Sequence, residues 1–402
     1  MYNYSSVIRS VGGIKSSPKE ILSPLAVPQR RLLLGPGPSN LSPRVIKALS
    51  NPLLGHMHPE TFKLMDEIKA GLQYAFQTEN RLTLAISASG HSGMEACLAN
   101  LLETGDRILI VKGGLWGERA ENMSKRLGAR VRTLNTELGV AFTLDQLEIA
   151  IDQWKPSVVF LAHSESSTAL KQPLIGIGDI CHRYEALLIV DTVASLGAEP
   201  FFMDAWKIDA AYTGSQKVFG APPGLTPISF NARAEKKLFS RLTKVKSFYW
   251  DMIELGNYWN CFNEPVRRYH HTISATLLYG LREGLAQLIE EGLETSWKRH
   301  ATAAKKLVEG LQSRELQLYI REPEHRLSTI TSVVIPLGID YKLVLRRLLE
   351  KWDIEISGGL GPTVGKIFRI GLMGINAREE VVDRFLIALD EVLTFAKMHS
   401  QL

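Results

Sequence analysis

Between residues 82 and 230, short apolar runs rich in Val, Ile and Leu recur seven times, at 82–87, 107–112, 129–134, 157–162, 186–191, 209–213 and 225–230. Between most of them lies a stretch long enough for a helix. Residues 92–103, 117–127, 144–154 and 174–184 carry apolar side chains at three and four spacing, the mark of a helix with one buried face. Strands that alternate with crossover helices dictate an α/β fold built on a mainly parallel sheet of seven strands, covered by helices on both faces.

A long helical tract follows at 273–311, broken near Gly292, and then the alternation restarts on a smaller scale. Strands are expected at 331–336, 354–357 and 368–371, and a closing helix at 378–397. A single core stops growing at roughly 250–300 residues, so 402 residues call for a second unit. The expected division is an N-terminal extension at 1–32, a large domain at 33–290 and a smaller C-terminal α/β domain at 291–402.

Composition narrows the function classes. With 45% hydrophobic and 22% charged residues the chain is neither disordered nor fibrous. Three scattered cysteines, Cys97, Cys181 and Cys261, are too few for a disulfide framework or a zinc cluster and suggest reduced thiols. The 47 basic and 42 acidic residues are interspersed, and the densest basic runs, Arg30-Arg31 and Lys244-Val-Lys246, are too short for a nucleic-acid surface. No apolar stretch approaches the ~18–20 residues of a spanning helix. Nucleic acid and membrane are therefore not expected partners, and no metal site is expected. Residues 1–19 hold three basic residues, five serines and no acid, compatible with a mitochondrial transit peptide or with a plain terminus. Ser400-Gln401-Leu402 resembles the peroxisomal Ser-Lys-Leu address, with Gln in the basic position. A peroxisomal location is expected, with the mitochondrial matrix as the alternative.

In open α/β sheets ligands sit at the carboxyl ends of the strands, so the residues just after each run are where chemistry is sought. After the first comes Ser87-Ala-Ser89-Gly90-His91-Ser-Gly93, small residues leading into a helix. Such a turn can cradle a phosphate on helix amides, or be a plain strand-to-helix turn. It lacks the Gly-Lys-Ser/Thr ending of a Walker loop. After the second, Trp116 stands among Gly113, Gly114 and Gly117, which would leave room beside its face for a flat ring. After the fifth, Asp191 ends a buried strand, where an acid is costly unless a cation meets it or it caps the following turn. After the sixth, Tyr212-Thr-Gly214-Ser-Gln216-Lys217 places one lysine before a Gly/Pro-rich turn, where desolvation would favour the neutral amine. A solvated loop lysine is the competing reading.

Taken together these segments are recognisable. The chain resembles the class V, fold type I, pyridoxal-phosphate aminotransferases, in the alanine–glyoxylate and serine–pyruvate branch that also holds kynurenine-type transaminases. The residues that carry the resemblance are Gly35-Pro-Gly-Pro-Ser39-Asn40, Ser89-Gly90-His91, Leu115-Trp116-Gly117, Glu165-Ser166-Ser167-Thr168, Val190-Asp191-Thr-Val193-Ala-Ser-Leu-Gly197, Gly214-Ser-Gln216-Lys217, Arg268-Tyr269-His270-His271-Thr272, Gly358-Gly-Leu-Gly-Pro362 and Arg369-Ile-Gly371. The resemblance implies that Lys217 holds the cofactor covalently and then moves the substrate proton, while Asp191 keeps the pyridine nitrogen protonated. It implies Trp116 and Val193 on the two ring faces and Ser166 at the phenolic oxygen. The phosphate would meet Ser89, Gly90, His91 and Gln216 of one subunit and Tyr269 and Thr272 of the other, which makes a homodimer. Arg369 would bind the substrate carboxylate, with Gly35 and Ser166 beside it, and His270-His271 would be structural.

Three positions depart from the glycine expected in this branch: Ala88, Ser164 and Ala169. Wherever φ must be positive, a side chain costs about 1 kcal/mol or more. Cysteine desulfurases share the fold but need a thiol on a loop of the smaller domain, and no cysteine follows Cys261. A dinucleotide-dependent oxidoreductase would need Gly-x-Gly-x-x-Gly after the first strand, which is absent. Gly55-His56-Met57-His58-Pro59 lacks the Ser-Asn pair associated with hydroxykynurenine transaminases. The expected reaction is L-alanine and glyoxylate to pyruvate and glycine, with serine–pyruvate side activity; 3-hydroxykynurenine or kynurenine transamination is the alternative.

Overall fold

The computed structural model describes residues 14–28 and 30–399. The chain divides into a short unit that ends at Arg31 and a large one that starts at Leu32. Among its described residues the first holds one 3-10 turn, Lys19–Leu22, and its Ile14, Ile21, Leu22 and Leu25 are exposed.

The large unit opens with β1 (Leu32–Leu33), α1 (Pro43–Leu49) and α2 (Pro59–Phe76), then alternates strictly. The order is β2 (Leu82–Ile86), α3 (Gly90–Leu101), β3 (Arg107–Lys112), α4 (Leu115–Arg126), β4 (Arg130–Asn135), α5 (Leu144–Trp154) and β5 (Val158–Ala162). A small hairpin follows, β6 (Ser164–Glu165) and β7 (Leu170–Lys171), then α6 (Ile177–Arg183), β8 (Leu187–Asp191), β9 (Ala210–Tyr212) and β10 (Thr226–Phe230). The helices α7 (Ala232–Phe239), α8 (Met252–Tyr258), α9 (Ala275–Glu291) and α10 (Leu293–Gln312) lead to the C-terminal part. That part holds β11 (Ile330–Val334), α11 (Tyr341–Trp352), β12 (Ile354–Glu355), β13 (Ser357–Gly358), β14 (Ile367–Gly371) and α12 (Glu379–His399).

The seven expected runs form one sheet in the order β2-β10-β9-β8-β5-β3-β4, within which only β10 runs antiparallel to its neighbours. Its central strands β8 and β9 are buried along their whole length, and β5 at all but its last residue, so both faces are covered. All strands but β10 point the same way, which brings the carboxyl ends of β2, β3, β8 and β9 to one rim, and the strand order reverses between β3 and β5. Gly292, at φ +82°, breaks the long helical tract between α9 and α10, a conformation that only glycine adopts cheaply.

Among the described residues three hydrophobic clusters form, two large and a small one around Ala169. The first lies on the large sheet and runs from Met65 to Leu293 in sequence. The second gathers Ala303, Leu307 and Leu311 of α10 with Val333, Val344, Ile354, Ile370, Phe385 and Val392. Leu34 packs in the second, although it begins the segment expected to belong with the first. The strand expected at 354–357 is two pieces: β12 pairs in parallel with β1, and β13 pairs antiparallel with β14. The backbone turns at Ile356, whose side chain is buried in the second core. Arg299 of α10 clasps Glu291 through Nε and Nη2 at 2.6 and 2.9 Å and donates to the carbonyls of Gly374 and Ala377.

Candidate active site

The register of β8 and β9 sets Asp191 beside Tyr212, both buried. Asp191 Oδ1 accepts from the Val193 amide at 2.8 Å and Oδ2 from the Tyr212 hydroxyl at 2.7 Å. Asp191 therefore does cap the turn that follows it. Burial pushes its carboxyl up to about 6, against the two donors and the ammonium of Lys217, which all favour the ionised form. The loop after β9 carries Lys217. Ser39 pins this loop, its amide donating to Gln216 O at 2.9 Å and its hydroxyl to Lys217 O at 2.7 Å. Lys217 Nζ donates to the carbonyl of Pro36. Loss of solvent pulls the Lys217 ammonium down to about 8; Asp191 opposes this and Arg369 adds to it. The lysine is thus not a solvated loop residue, and near neutral pH part of it is the free amine.

The turn after β2 enters α3 at Ser89, whose side chain makes no capping bond. Gly90, the first residue of α3, packs beside the Asp191 and Lys217 loops: a Cβ on it would lie 3.4 Å from Val193 Cγ2 and 3.6 Å from Gly214 Cα. Gly90, Val193 and the Gly214–Lys217 loop therefore surround one spot. Gln216 Oε1 is buried there without a hydrogen-bond partner. The His91 ring meets Trp116 edge to face at 6.0 Å, and burial lowers its pKa below the ordinary imidazole value.

Trp116 opens α4, and its Nε1 donates to Ser166 Oγ at 2.7 Å. The glycines around Trp116 do not serve the purpose expected of them. A Cβ on Gly114 would run into Glu165, and one on Gly117 would lie 2.6 Å from the Val111 carbonyl. They admit Glu165 and the β3 backbone, not a ring beside the indole. Glu165, whose role the sequence left open, accepts from the Trp116 amide at 3.1 Å and from the Ser167 amide and hydroxyl at 3.1 and 2.5 Å. Burial pushes its carboxyl up to about 7 despite these donors.

Arg369 reaches the same place from β14. Its Nε donates to Gly358 O at 2.8 Å and its Nη1 to Ser166 O at 3.0 Å. The next two carbonyls of the hairpin are read in turn, Ser167 O by Thr363 Oγ1 at 3.1 Å and Thr168 O by Ser332 Oγ at 2.6 Å. Burial lowers the Arg369 guanidinium to about 10 while Glu165 acts to raise it. Gly35 lies against β13, since its Cβ would stand 3.0 Å from Ser357 Oγ. Of the three departures from glycine, only Ala169 has a positive φ, +69°. Ser164 instead accepts from the Ala194 amide at 3.0 Å through its hydroxyl.

Tyr269 and Thr272 do not join this cluster within the chain. Their hydroxyls lie 3.4 Å apart on the surface, where Tyr269 is 57% exposed and its ring leans on His56 at 5.1 Å. His270 and His271 bond each other at 2.8 Å, and His271 Nε2 reaches Ser87 Oγ at 2.6 Å. Among the described residues no group of His, Cys, Asp and Glu is placed to hold a metal ion, and no helix is long and apolar enough to cross a membrane. The three cysteines are buried, and burial pushes their thiols up, Cys261 to about 12. A cleft of about 670 Å³ lies behind the lysine loop, lined by Val218, Phe219, Arg299 and Gly374, and the residues of the cluster are not part of its wall.

The sequence pattern of the family described as aminotransferase class-V matches residues 31–385. The chain belongs to the class V aminotransferases. It is 52% identical over 376 residues to an alanine–glyoxylate aminotransferase of Callithrix jacchus, covering 94% of this chain and 90% of that one. With the alanine–glyoxylate aminotransferase of Drosophila melanogaster the identity is 48%, over 95% and 96% of the two chains. The crystal structure of an alanine–glyoxylate aminotransferase from Nostoc sp. superposes with a TM-score of 0.90 at 46% identity, covering 94% of this chain and all of that one. Aminotransferases of this class depend on pyridoxal phosphate, and the fold is that of fold type I. The residues fit that group: a buried carboxylate at a strand end, a lysine amine already partly neutral, an uncapped helix start and the unpartnered Gln216 Oε1.

Proposed function

We propose that this aminotransferase moves the amino group of L-alanine to glyoxylate, giving pyruvate and glycine, with L-serine as a second donor. The observation that carries the reading is the buried trio of Lys217, Asp191 and Arg369, in which the lysine amine responds to both other charges, on a chain about half identical to enzymes of that name. The relatives lend no support to kynurenine as the donor.

When bound, pyridoxal phosphate supplies an electron-poor ring that stabilises charge at the substrate Cα and an aldehyde that carries the amino group. The chain supplies the rest. Lys217, lowered to about 8, would hold the cofactor and carry the Cα proton, work that needs an amine able to be neutral. Asp191 would hold the ring nitrogen, and Trp116 and Val193 would take the two faces. Ser166 would meet the phenolic oxygen; Ser89, Gly90, His91 and Gln216 would meet the phosphate. Arg369, already anchored through Nε and Nη1, leaves Nη2 and one Nη1 hydrogen for a substrate carboxylate, beside Gly35. Both substrates are small 2-oxo or 2-amino acids, so one guanidinium serves both halves of the reaction.

A homodimer is part of the proposal. Exposed Tyr269 and Thr272 support it, since side chains assigned to the phosphate point away from their own cluster. A peroxisomal location through Ser400-Gln401-Leu402, with the mitochondrial matrix through residues 1–19 as the alternative, is also carried forward; residues 1–13 and 400–402 lie outside the described residues. A reporter ending in the last ten residues tests the former by whether it enters peroxisomes.

The activity is tested on the purified holoenzyme by its visible absorbance. L-Alanine is expected to bleach the cofactor band and glyoxylate to restore it, while kynurenine leaves it nearly unchanged. Faster bleaching by kynurenine than by alanine would overturn the substrate assignment.

A further inference from the structure

Tyr212 belongs to no role assigned above, yet it is the residue best placed to control Asp191. The two strands run in parallel with Asp191 opposite Tyr212, and the side chains are 3% and 1% exposed. Burying a phenol hydroxyl is unfavourable unless it is bonded, and a phenylalanine would fill the same space at no such cost. The hydroxyl donates to Asp191 Oδ2 at 2.7 Å, while the other oxygen is held by the Val193 amide. Two donors on opposite oxygens fix the plane of the carboxylate and leave its remaining lone pairs to one side. With the amide alone, the carboxylate could swing about its last torsion, which for such groups is broad.

The ring of Tyr212 has a second contact. On α3, a Cβ at Gly93 would come within 2.9 Å of Tyr212 Cδ2 and 2.5 Å of Thr226 Cγ2, so the helix lies directly on this ring because residue 93 has no side chain. Thr226 in turn donates to Ala88 O at 3.0 Å, in the turn that leads to Ser89 and Gly90. One side chain therefore touches Asp191 at its tip and the helix that starts at the phosphate cradle along its edge.

We propose that Tyr212 is a positioning residue that aims the Asp191 carboxylate at the cofactor's ring nitrogen and sets its separation from the helix start that receives the phosphate. The inference rests on the pyridoxal-phosphate reading of the site. It does not depend on which amino acid is the donor.

The test is a comparison of full-length wild type and Tyr212→Phe, freed of cofactor and titrated with pyridoxal phosphate and with its 1-deaza analogue, in which carbon replaces the ring nitrogen. Binding is read by quenching of tryptophan fluorescence. Tyr212→Phe is expected to weaken pyridoxal phosphate about tenfold or more, the range for a hydrogen bond to a charged group. It should change the affinity for the deaza analogue about twofold or less, because the partner that Asp191 would hold is gone. Equal losses with both compounds, or no loss with either, would overturn the proposal. If Tyr212→Phe does not fold, Gly93→Ala keeps the hydroxyl but displaces the ring and carries the same comparison: a loss confined to pyridoxal phosphate supports the proposal, and equal losses overturn it. A wild-type protein that binds neither compound would instead remove the cofactor reading itself.

Discussion

In the proposed reaction Lys217 and Arg369 divide the chemistry between them, and their removal should be felt in different constants. Lys217→Ala is expected to abolish turnover while leaving the fold intact, and Arg369→Ala to raise KM for both amino donor and oxo acid on the order of a hundredfold, as for a buried charge pair cut on one side. Steady-state kinetics alongside circular dichroism checks both; normal turnover by the lysine variant would sink the assignment. Glu165 makes a prediction about pH. Its carboxyl stands at about 7 in the folded protein against 4.5 otherwise, because burial outweighs the donors around it. Between those values the folded state binds more protons than the unfolded one. Stability of the cofactor-free protein therefore falls as pH rises from about 4.5 to about 7, by about 3 kcal/mol from this group alone. Glu165→Gln is expected to flatten that stretch in denaturant titrations, leaving the smaller slope of Asp191, which stands at about 6. An unchanged slope would mean that Glu165 is not the group that titrates. At this scale Asp191 and Lys217 were legible in the sequence because each follows a buried run, whereas Arg369 lies inside β14 and was named only through the family resemblance. Glu165 and Tyr212 were on view in the same motifs but carried no role, since their work is done through Trp116 and Asp191 and no spacing records a hydrogen bond between strands.

The hairpin of β6 and β7 shows the same limit for elements. Its two-residue strands are too short to leave any periodicity, yet the carbonyls of Ser166, Ser167 and Thr168 are where Arg369, Thr363 and Ser332 fasten the C-terminal part to the large sheet. The turn closes at Ala169, with φ at +69°, packed against Ala194, Ala198, Val218, Ile330 and Met373. Ala169→Val is expected to cost about 3 kcal/mol, since a branched Cβ is strained at positive φ and overfills a close-packed site. Thermal unfolding measures it, and a change below about 1 kcal/mol would show that the turn relaxes freely. Long elements were read well. All seven sheet strands fall within a residue or so of their expected bounds; six are apolar runs buried over most of their length, which admit little else, while the edge strand β4 is exposed or half-buried throughout. The strand expected at 354–357 divides because consecutive pairs of residues answer to different partners, β1 and β14, which only tertiary packing decides.

For the whole molecule, the proposed sharing of each site between two subunits makes a prediction that no single subunit can satisfy. Lys217→Ala and Tyr269→Ala proteins should each be impaired alone. When mixed, unfolded and refolded together, hybrid dimers would hold one site with both residues intact, and activity should return to about a quarter of wild type if subunits pair at random. No recovery in a mixture shown to contain hybrids would argue against sites completed across the dimer. The joining of β1 to β12 also bears on how the chain is made. Leu32 and Leu33 find their partners Ile354 and Glu355 over 300 residues later, and Leu34 waits for the same stretch to be covered in its core. At ribosomal speeds that is on the order of half a minute, during which the central sheet can already assemble. Through that interval the first apolar triplet of the large unit is exposed next to a folded body, which makes it a natural hold for a chaperone and the last piece to be sealed in.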